Sequence, residues 1–312
     1  MCIFLRGTES PSMDRHYENQ RHNADNTDEK TERAWYIRMR RIMEEMDRFC
    51  SVCDVDDRDF RFLDLGCCPG GFSSCVLDKN PRATGFGISL SPQEGGHSFL
   101  MDENLLNRYS IMFANMARFE LGPNSDLDSL PIPAESFDLV IMDAHHLRNQ
   151  PHMAAHKVYT SQLILGLKAV KIGGSIVLRL HRLESDYSAC LIYLLDKVSC
   201  EIRTFKPMTM HKDRGSFYVI ARGVGLDNYR RLSFERQTRL LHAMDPFRAL
   251  WANLGEEGSE RRLVAEDLNF IISVDDLVKE YTYRLGRLGR KIWEIQARTL
   301  ESLFKARGVI VD

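Results

Sequence analysis

The sequence predicts an α/β protein built on a mostly parallel β-sheet, and three observations support this fold class. Seven short apolar runs alternate with helical stretches between residues 60 and 223. Several of these runs are apolar on both faces, as strands are when helices cover both sides of a parallel sheet. The last two runs are joined by a short connection, which predicts an antiparallel hairpin at one edge of the sheet.

The helix before the sheet and the strands themselves follow from hydrophobic periodicity. Trp35, Met39, Ile42 and Met46 recur at helical spacing among good helix formers, which predicts a helix over residues 31–49. The candidate strands cover residues 60–66, 83–90, 110–115, 137–143, 174–180, 201–207 and 215–223.

Beyond residue 225 the composition changes to long, charged, helix-forming segments. A long amphipathic helix is predicted from Ser273, which has the spacing of a capping pair with Asp276. Such helices could recruit a protein partner or a second copy of the chain, and the basic face of the last one could touch RNA or simply be solvated. Further helical segments are expected at 230–243, 246–254 and 260–269.

These features divide the chain into three parts. Residues 1–30 are polar with few aliphatic side chains and are expected to form a disordered tail. Residues 31–225 form the predicted α/β domain, and residues 226–312 form a helical extension.

The composition of the chain limits which binding partners and which cellular compartment we expect. Lys and Arg number 42 against 44 Asp and Glu, so binding to nucleic acid would need a local basic patch. No run approaches the roughly 18 apolar residues of a membrane helix. The eight cysteines lack the spacing of a disulfide framework, and no signal peptide is recognised. We therefore expect a cytoplasmic or nuclear protein with no membrane helix.

A glycine-rich corner, DLGCCPGGF at residues 64–72, directly follows the first candidate strand. In doubly wound sheets the ligand lies past the carboxyl ends of the strands, where glycines let the backbone approach it closely. Gly66, Gly70 and Gly71 have that position. Their spacing differs from the G-x-G-x-x-G of dinucleotide binders, and Pro69 removes an amide that would bind phosphate. A ligand other than a pyrophosphate is therefore favoured.

This corner resembles motif I of the FtsJ-like ribose 2′-O-methyltransferases. FDLVIMDAHH at residues 137–146 is similar to motif IV of that family, and KPMTMHKDRGSFYVIARG at residues 206–223 resembles its last hairpin. The resemblance extends from about Arg33 to Gly223. It implies a Rossmann-like sheet of seven mostly parallel strands with a terminal antiparallel hairpin. It also implies S-adenosylmethionine (SAM) as the methyl donor and RNA as an acceptor.

The resemblance implies which residues hold the cofactor. Asp143 would end the fourth strand beside the transferred methyl group. Asn115 stands where the family often has an acid that meets the adenine. Ser89, or its neighbour Ser91, replaces the acid that holds the ribose hydroxyls, a change worth about 1 kcal/mol or more in binding. The implied cofactor-binding residues are Asp64, Gly66, Pro69, Gly70, Gly71, Phe72, Ser89, Asn115 and Asp143.

The family catalyses transfer with a Lys-Asp-Lys-Glu tetrad, and three of the four positions differ here. Ile37 aligns with the first lysine, with Arg38 beside it. Asp143 is retained, Arg179 aligns with the second lysine, and Ser216 aligns with the glutamate. The catalytic candidates are therefore Asp143, Arg179, Ser216 and Arg38. An arginine stays protonated, so Arg179 can stabilise an oxyanion or hold a phosphate but cannot readily accept a proton at pH 7.

The loss of the lysine base does not exclude catalysis. A positioned base contributes about 10²- to 10⁴-fold, whereas alignment of the two reactants contributes about 7–11 kcal/mol. His145, His146 or His181, near the predicted strand ends, could supply the base, or they could be ordinary surface residues.

The sequence leaves three functions open. The first is a SAM-dependent methyltransferase that acts on RNA or another substrate, and the second is a catalytically silent relative that binds RNA or protein. The third, a nucleotide-binding enzyme of another doubly wound class, is disfavoured by the corner and the hairpin.

The local charges and the cysteines do not distinguish among these three functions. The segments 181–185 and 210–214 add positive charge near the site, as RNA contact would need and as solvated loops would also explain. Cys50 and Cys53 form a C-x-x-C without a second pair, so no metal site is expected.

Overall fold

A seven-stranded β-sheet forms the centre of the fold. The structure is a computed structural model that describes residues 28–53, 59–145, 154–254 and 263–308, together with Arg15 and Glu18. The strand order is β3-β2-β1-β4-β5-β7-β6, and β7 runs antiparallel to both β5 and β6 while the other neighbouring strands are parallel. The strands are β1 (Phe60–Leu65), β2 (Ala83–Ser89), β3 (Tyr109–Phe113), β4 (Phe137–Met142), β5 (Val170–His181), β6 (Ser199–Phe205) and β7 (Ser216–Val224).

Helices cover both faces of this sheet in the described part of the chain. Short 3₁₀ turns occur in the loops, for example at Met116–Arg118. The longer helices are α1 (Glu29–Cys50), α2 (Gly71–Lys79), α3 (Ala154–Ala169), α4 (Asp186–Val198), α5 (Phe234–Asn253) and α6 (Val274–Ala306).

The predicted fold class is confirmed. All seven candidate strands are present, and the last two form the expected antiparallel pair with β7 inserted between β5 and β6. The ends differ by a few residues: β5 begins at Val170 rather than at residue 174.

The two faces of the sheet contact different helices. On β4, Leu139 and Ile141 point into the cluster formed with α1 and α2, whereas Val140 and Met142 point into the cluster formed with α3, α4, α5 and α6. Because side chains alternate along a strand, a residue two positions beyond Ile141 continues on the α1 side. Asp143 therefore belongs to the face that α1 and α2 cover.

Helix α1 is held against α2 by a stripe of buried apolar residues. Asp28 caps its first turn by accepting from the Thr31 amide at 2.8 Å. Met39, Ile42, Met43 and Met46 are buried along one side. This matches the predicted helix, with two residues added at the amino end.

The helical extension differs from the prediction in two respects. The segments expected at 230–243 and 246–254 are a single helix, α5, with Pro246 inside it. Proline removes one backbone donor there, but Phe247 and Trp251 just beyond it are buried in the core and hold the helix together. Within the segment expected at 260–269, the described residues form only the 3₁₀ turn Ala265–Leu268.

The long last helix begins as predicted. Ser273 caps α6 by accepting from the Asp276 amide, and its hydroxyl donates to the Asp276 carboxylate at 2.7 Å. Most of the expected disordered tail, residues 1–30, lies outside the described residues. The described residues of this segment are Arg15, Glu18 and residues 28–30, and Glu29 and Lys30 belong to α1.

The described residues contain neither a membrane-spanning helix nor a group of side chains suited to a metal ion. None of the helices there combines the length and the apolar character that crossing a bilayer requires. No group of three or more His, Cys, Asp or Glu side chains in these ranges is arranged to hold a metal ion.

Candidate active site

The turn after β1 brings the ends of β1 and β4 into contact. Gly66 and Gly70 have φ values of +87° and +103°, in the left-handed region that favours glycine. A Cβ on Gly66 would lie 2.6 Å from the Cα of Ala144. The Asp143 amide donates to the Leu65 carbonyl at 3.1 Å. The glycine corner therefore lies directly beside Asp143, at the carboxyl edge of the sheet.

A cleft opens at this edge beside the ends of β1, β2 and β3. The volume of the cleft is about 60 Å³, and it is about 540 Å³ when the adjoining open solvent is included. Three residues of the predicted cofactor set, Gly66, Ser89 and Asn115, line it. The described lining contains no lysine or arginine; its other members are Cys68, Leu90, Gly96, His97, Ala114, Met116, Ala144, His145 and Val158.

Two polar side chains in the cleft have hydrogen-bonding capacity to spare. The Ser89 hydroxyl oxygen accepts from the Cys68 amide at 3.4 Å, so its proton is left to donate. The Asn115 Oδ1 accepts from the Ala117 amide at 3.0 Å, and its Nδ2 has no partner among the described residues. Ser91, the alternative to Ser89, is not in the lining and donates to Glu94 at 3.0 Å.

Several residues of the predicted set contact protein rather than the cleft. A Cβ on Gly71 would lie 2.8 Å from the Arg40 amide of α1, so this glycine permits the close crossing of α1 and α2. Phe72 is fully buried in the core, edge-to-face with Tyr218 at 6.0 Å between ring centroids. The Pro69 carbonyl accepts from the Leu100 amide at 3.0 Å, which fastens the loop that bounds the cleft.

Asp64 is a buried carboxyl group beneath the corner. Its Oδ2 accepts from the Ser73 hydroxyl at 2.6 Å, while its Oδ1 has no partner among the described residues. Burial raises the pKa of Asp64 to about 7, the Ser73 hydrogen bond lowers it in part, and the charge of Asp143 raises it further. An unpartnered buried carboxyl oxygen is costly, which indicates a role beyond packing.

Buried Asp143 forms an ion pair with Arg179, whose side chain is largely but not fully buried. The Arg179 Nε lies 3.0 Å from the Asp143 Oδ1, and the Tyr218 hydroxyl donates to the same oxygen at 3.4 Å. Burial raises the pKa of Asp143 above its ordinary value, although Arg179 and Tyr218 counteract this. Asp143 in turn raises the pKa of Arg179, which burial alone would lower. Arg179 is thus a permanent cation beside the acid.

Tyr218 is not among the residues predicted from the sequence, although it lies opposite Arg179 in the β5–β7 register. Its position two residues after Ser216 in an alternating strand was the available signal.

Ser216 and His181 face each other at the start of β7. They are paired in register, and the His181 Nδ1 lies 3.4 Å from the Ser216 Oγ. Arg38 lies exposed on α1 and has no hydrogen bond or ion pair with a described residue. The structure therefore brings Asp143, Arg179 and Ser216 to one edge and gives Arg38 no contact with them.

The loop between β6 and β7 contains two buried titratable groups. Lys206 donates to the Ser216 carbonyl at 2.9 Å, to the Arg214 carbonyl, and to Gln296 of α6 at 3.3 Å. Burial lowers the pKa of Lys206 to about 8. His211 is 9% exposed, and both its ring nitrogens lack a partner among the described residues.

The positive charge expected from segment 210–214 is therefore only partly present. Lys212 and Arg214 are exposed, but burial and the nearby cations lower the pKa of His211 well below its ordinary value, so it is neutral at pH 7. Of the histidines considered as bases, His145 lines the cleft, His181 is exposed, and His146 lies outside the described residues.

The known proteins that this chain resembles in sequence include several named as RNA methyltransferases. The chain is 28% identical over 210 residues to the cap-specific mRNA (nucleoside-2′-O-)-methyltransferase 1 of Xenopus laevis, covering 61% of this chain and 24% of that protein. It is 29% identical over 171 residues to the ribosomal RNA large subunit methyltransferase E of Novosphingobium aromaticivorans, covering 52% and 68%. It is 23% identical over 180 residues to the inactive cap-specific mRNA (nucleoside-2′-O-)-methyltransferase 1B of Caenorhabditis briggsae, covering 54% and 21%.

The chain thus spans about a quarter of the length of the two cap-specific relatives. The family model described as FtsJ-like methyltransferase matches residues 40–224, more than half of the chain. That range runs from within α1 to the last residue of β7 and contains the glycine corner, the cleft and the Asp143–Arg179 pair. With this match and this sheet, the chain belongs to the FtsJ-like methyltransferase family.

Proposed function

We propose that this protein is a SAM-dependent methyltransferase that acts on RNA, at a ribose 2′-hydroxyl. The observation that supports it most is the backbone contact of the glycine corner with Asp143 and Ala144, which puts a polar cleft and a buried acid at the same edge of the sheet.

The cleft suits SAM better than it suits a nucleotide. A pyrophosphate site needs cations or free backbone amides, and the described lining has no lysine or arginine. SAM has no phosphate. The Ser89 hydroxyl can donate to its ribose, the Asn115 Oδ1 keeps a lone pair that can accept from its adenine, and the unpartnered Asp64 Oδ1 is an acceptor beneath the corner. When bound, SAM supplies an electrophilic methyl group.

The protein contributes positioning and charge at the methyl-acceptor side. Asp143 holds the guanidinium of Arg179 in one orientation through a 3.0 Å ion pair, and Tyr218 holds Asp143. A fixed cation there stabilises negative charge that develops on an acceptor oxygen. Alignment by such fixed groups is the largest contribution that a site without a lysine base can make.

RNA as the acceptor is supported by local charge and by the relatives. Arg182, Lys212 and Arg214 are exposed around the β5 and β7 ends, and Arg287, Arg290 and Lys291 are exposed on α6. Arg284, in contrast, is bound to Asp196 at 3.1 Å and serves the packing of α6. The relatives named for their substrate act on mRNA caps or ribosomal RNA. The cytoplasm and the nucleus, the expected locations, both contain RNA.

A catalytically silent RNA- or protein-binding relative is the second candidate. It is favoured by Ile37, Arg179 and Ser216 in three tetrad positions, and one relative is itself described as inactive. A protein partner or second copy on the helical extension would suit this function as well as the first.

Transfer of radiolabelled methyl groups from SAM distinguishes the two candidates. Purified protein is incubated with total RNA and with capped transcripts, and the RNA is digested to nucleosides. The proposal expects label in 2′-O-methylated nucleosides, and Asp138→Asn, at the opposite end of β4 from Asp143, is the matched control that should keep it. RNA binding without any label would support the silent relative.

A further inference from the structure

The loop between β6 and β7 lies at the methyl-acceptor edge of the sheet. Strands β5 and β6 both end there, at His181 and Phe205, and β7 begins there at Ser216. The loop is fastened at its start, because Glu45 of α1 accepts from the amides of Met208 and Thr209 at 2.7 and 3.0 Å. It is fastened at its end by the hydrogen bonds of Lys206 to the Arg214 and Ser216 carbonyls. His211 lies between these two anchors.

The backbone and the side chain of His211 are both in costly states. Its φ of +69° is in the left-handed region, which is uncommon for a residue with a side chain. Its two ring nitrogens are shielded from solvent and have no partner among the described residues. Buried polar atoms of native proteins are nearly always hydrogen-bonded, and exceptions concentrate at functional sites. A hydroxyl group that reached either nitrogen would give the ring the partner that it lacks.

The titratable groups that act on His211 lie at the ends of two strands and on its own loop. They are Arg179 on β5, His145 after β4, and Lys206 and Arg214 at the ends of its own loop. With burial, these neighbours keep the pKa of the ring well below its ordinary value. The imidazole is therefore neutral at pH 7 and able to accept a proton.

The other candidate bases stay protonated or already have a contact on one of their polar atoms. Arg179 stays protonated. Lys206 uses its ammonium protons on two backbone carbonyls and the Gln296 amide oxygen, so it ties α6 to the loop. The His181 Nδ1 faces the Ser216 hydroxyl, and the His145 Nδ1 lies 3.2 Å from the Asp143 carbonyl oxygen.

We propose that His211 is the general base that replaces the missing lysine, an inference that rests on the proposed function. The acceptor O–H proton passes to a ring nitrogen of neutral His211, which becomes an imidazolium. As the new oxygen–carbon bond forms, the sulfur–carbon bond of the methyl donor breaks and the sulfur keeps the electron pair. The imidazolium then releases its proton to water.

Two variants test this base without disturbing the loop. His211→Asn and His211→Gly both tolerate a positive φ, so both are expected to fold. His242→Asn, at an exposed position on α5, is the matched control. We expect methyl transfer to fall about 10²- to 10⁴-fold in both His211 variants and to stay unchanged in the control. Added imidazole should restore part of the transfer in His211→Gly only.

The pH profile and an NMR titration distinguish a base from a structural residue, because a purely structural role of His211 would not change either measurement. In the wild type, transfer should rise with pH to a plateau that is reached below pH 7, and the rising limb should be absent in His211→Asn. The His211 Cε1–H resonance, assigned by its loss in His211→Asn, should stay that of a neutral ring from pH 7 to pH 6. SAM binding, measured by calorimetry, should be the same in all variants.

Each contrary result has a distinct meaning. Three results would contradict the role of His211 as the base without contradicting the proposed methyltransferase function. They are wild-type activity in the His211 variants, no rescue by imidazole, and a protonated His211 ring at pH 7. A wild type that transfers no methyl group would overturn the proposed function and this inference together.

Discussion

The proposed cofactor side and the proposed acceptor side of the site differ in what they keep from the family. On the cofactor side, the glycine corner has the residues of motif I, and its left-handed turns bring it against Ala144. On the acceptor side, Ile37, Arg179 and Ser216 occupy three of four tetrad positions. Backbone shape is preserved on one side and side-chain chemistry is replaced on the other.

This contrast indicates which part of catalysis the protein can perform in the usual way. Cofactor binding depends on backbone approach, which glycine alone permits at Gly66. Proton removal depends on a group with a suitable pKa, and a buried arginine lacks one. We therefore expect this protein to position the two reactants as its family does. We expect the proton to be removed by a base at a different position from the family's lysine.

Asp143→Ala should have the largest effect, because Asp143 joins the two sides. The change leaves the buried Arg179 without its counterion, which costs about 3–5 kcal/mol of stability, and methyl transfer should be lost. Chemical denaturation and radiolabelled transfer measure the two effects. Asp143→Asn/Arg179→Met should regain stability but not transfer. An Asp143→Ala protein with full activity would remove Asp143 from the site.

Asp64→Asn should show a pH-dependent gain in stability on the cofactor side. A pKa of about 7 in the folded state, raised from 3.8, means that the folded protein binds this proton more tightly. The contribution of Asp64 to stability is therefore present below pH 4 and is lost as pH rises through 7. Asp64→Asn should melt several degrees above the wild type at pH 8 and together with it at pH 4.

Asp59→Asn is the matched control for that experiment, since its carboxylate is exposed and pairs with exposed Arg82. Equal melting shifts at pH 4 and pH 8 in Asp64→Asn would show that Asp64 is not titrating in this range.

Gly66→Ala should weaken SAM binding at least 10-fold and destabilise the fold by about 1–3 kcal/mol. The reason is the positive φ together with the 2.6 Å approach to the Ala144 backbone. Calorimetry and thermal melting measure both effects. Gly286→Ala, in α6 with open space around it, should instead stabilise by about 1 kcal/mol. Unchanged SAM affinity in Gly66→Ala would separate the corner from cofactor binding.

Asn115→Asp should have the smallest effect, a roughly 5-fold gain in SAM affinity. It restores the charged acceptor at a position that lines the cleft, which is worth about 1 kcal/mol. The cap on the Ala117 amide is retained, because a carboxylate accepts equally well. Weaker binding by the variant would mean that the Nδ2 donor is the group in use.

Local patterns predicted the features that depend on local chain geometry. The strands, the hairpin and the turn at Gly66 and Gly70 follow from periodicity and glycine position. The resemblance indicated Asp143, Ser89 and Asn115, and these residues lie at one edge because parallel strands end there. Among the site positions that the resemblance indicated, these three lie where they do because they are at or just beyond the ends of strands.

Features set by long-range packing could not be predicted from the sequence. Gly71 and Phe72 belong to the motif but face α1 and Tyr218, since the side of α2 they occupy is determined by the helix crossing. Helix α5 continues through Pro246 because buried residues beyond it hold it. His211 reads as a basic loop residue, and its burial follows only from the anchors at Glu45 and Lys206.

The most direct test of the central claim is a crystal structure of the protein with S-adenosylhomocysteine, the demethylated cofactor. The account predicts density in the cleft at the ends of β1, β2 and β3, in contact with Gly66, Ser89 and Asn115, with the sulfur directed toward Asp143. Density in the separate cavity between α4 and α5, lined by Tyr193, Thr238 and Phe270, or an empty cleft at saturating ligand, would contradict it.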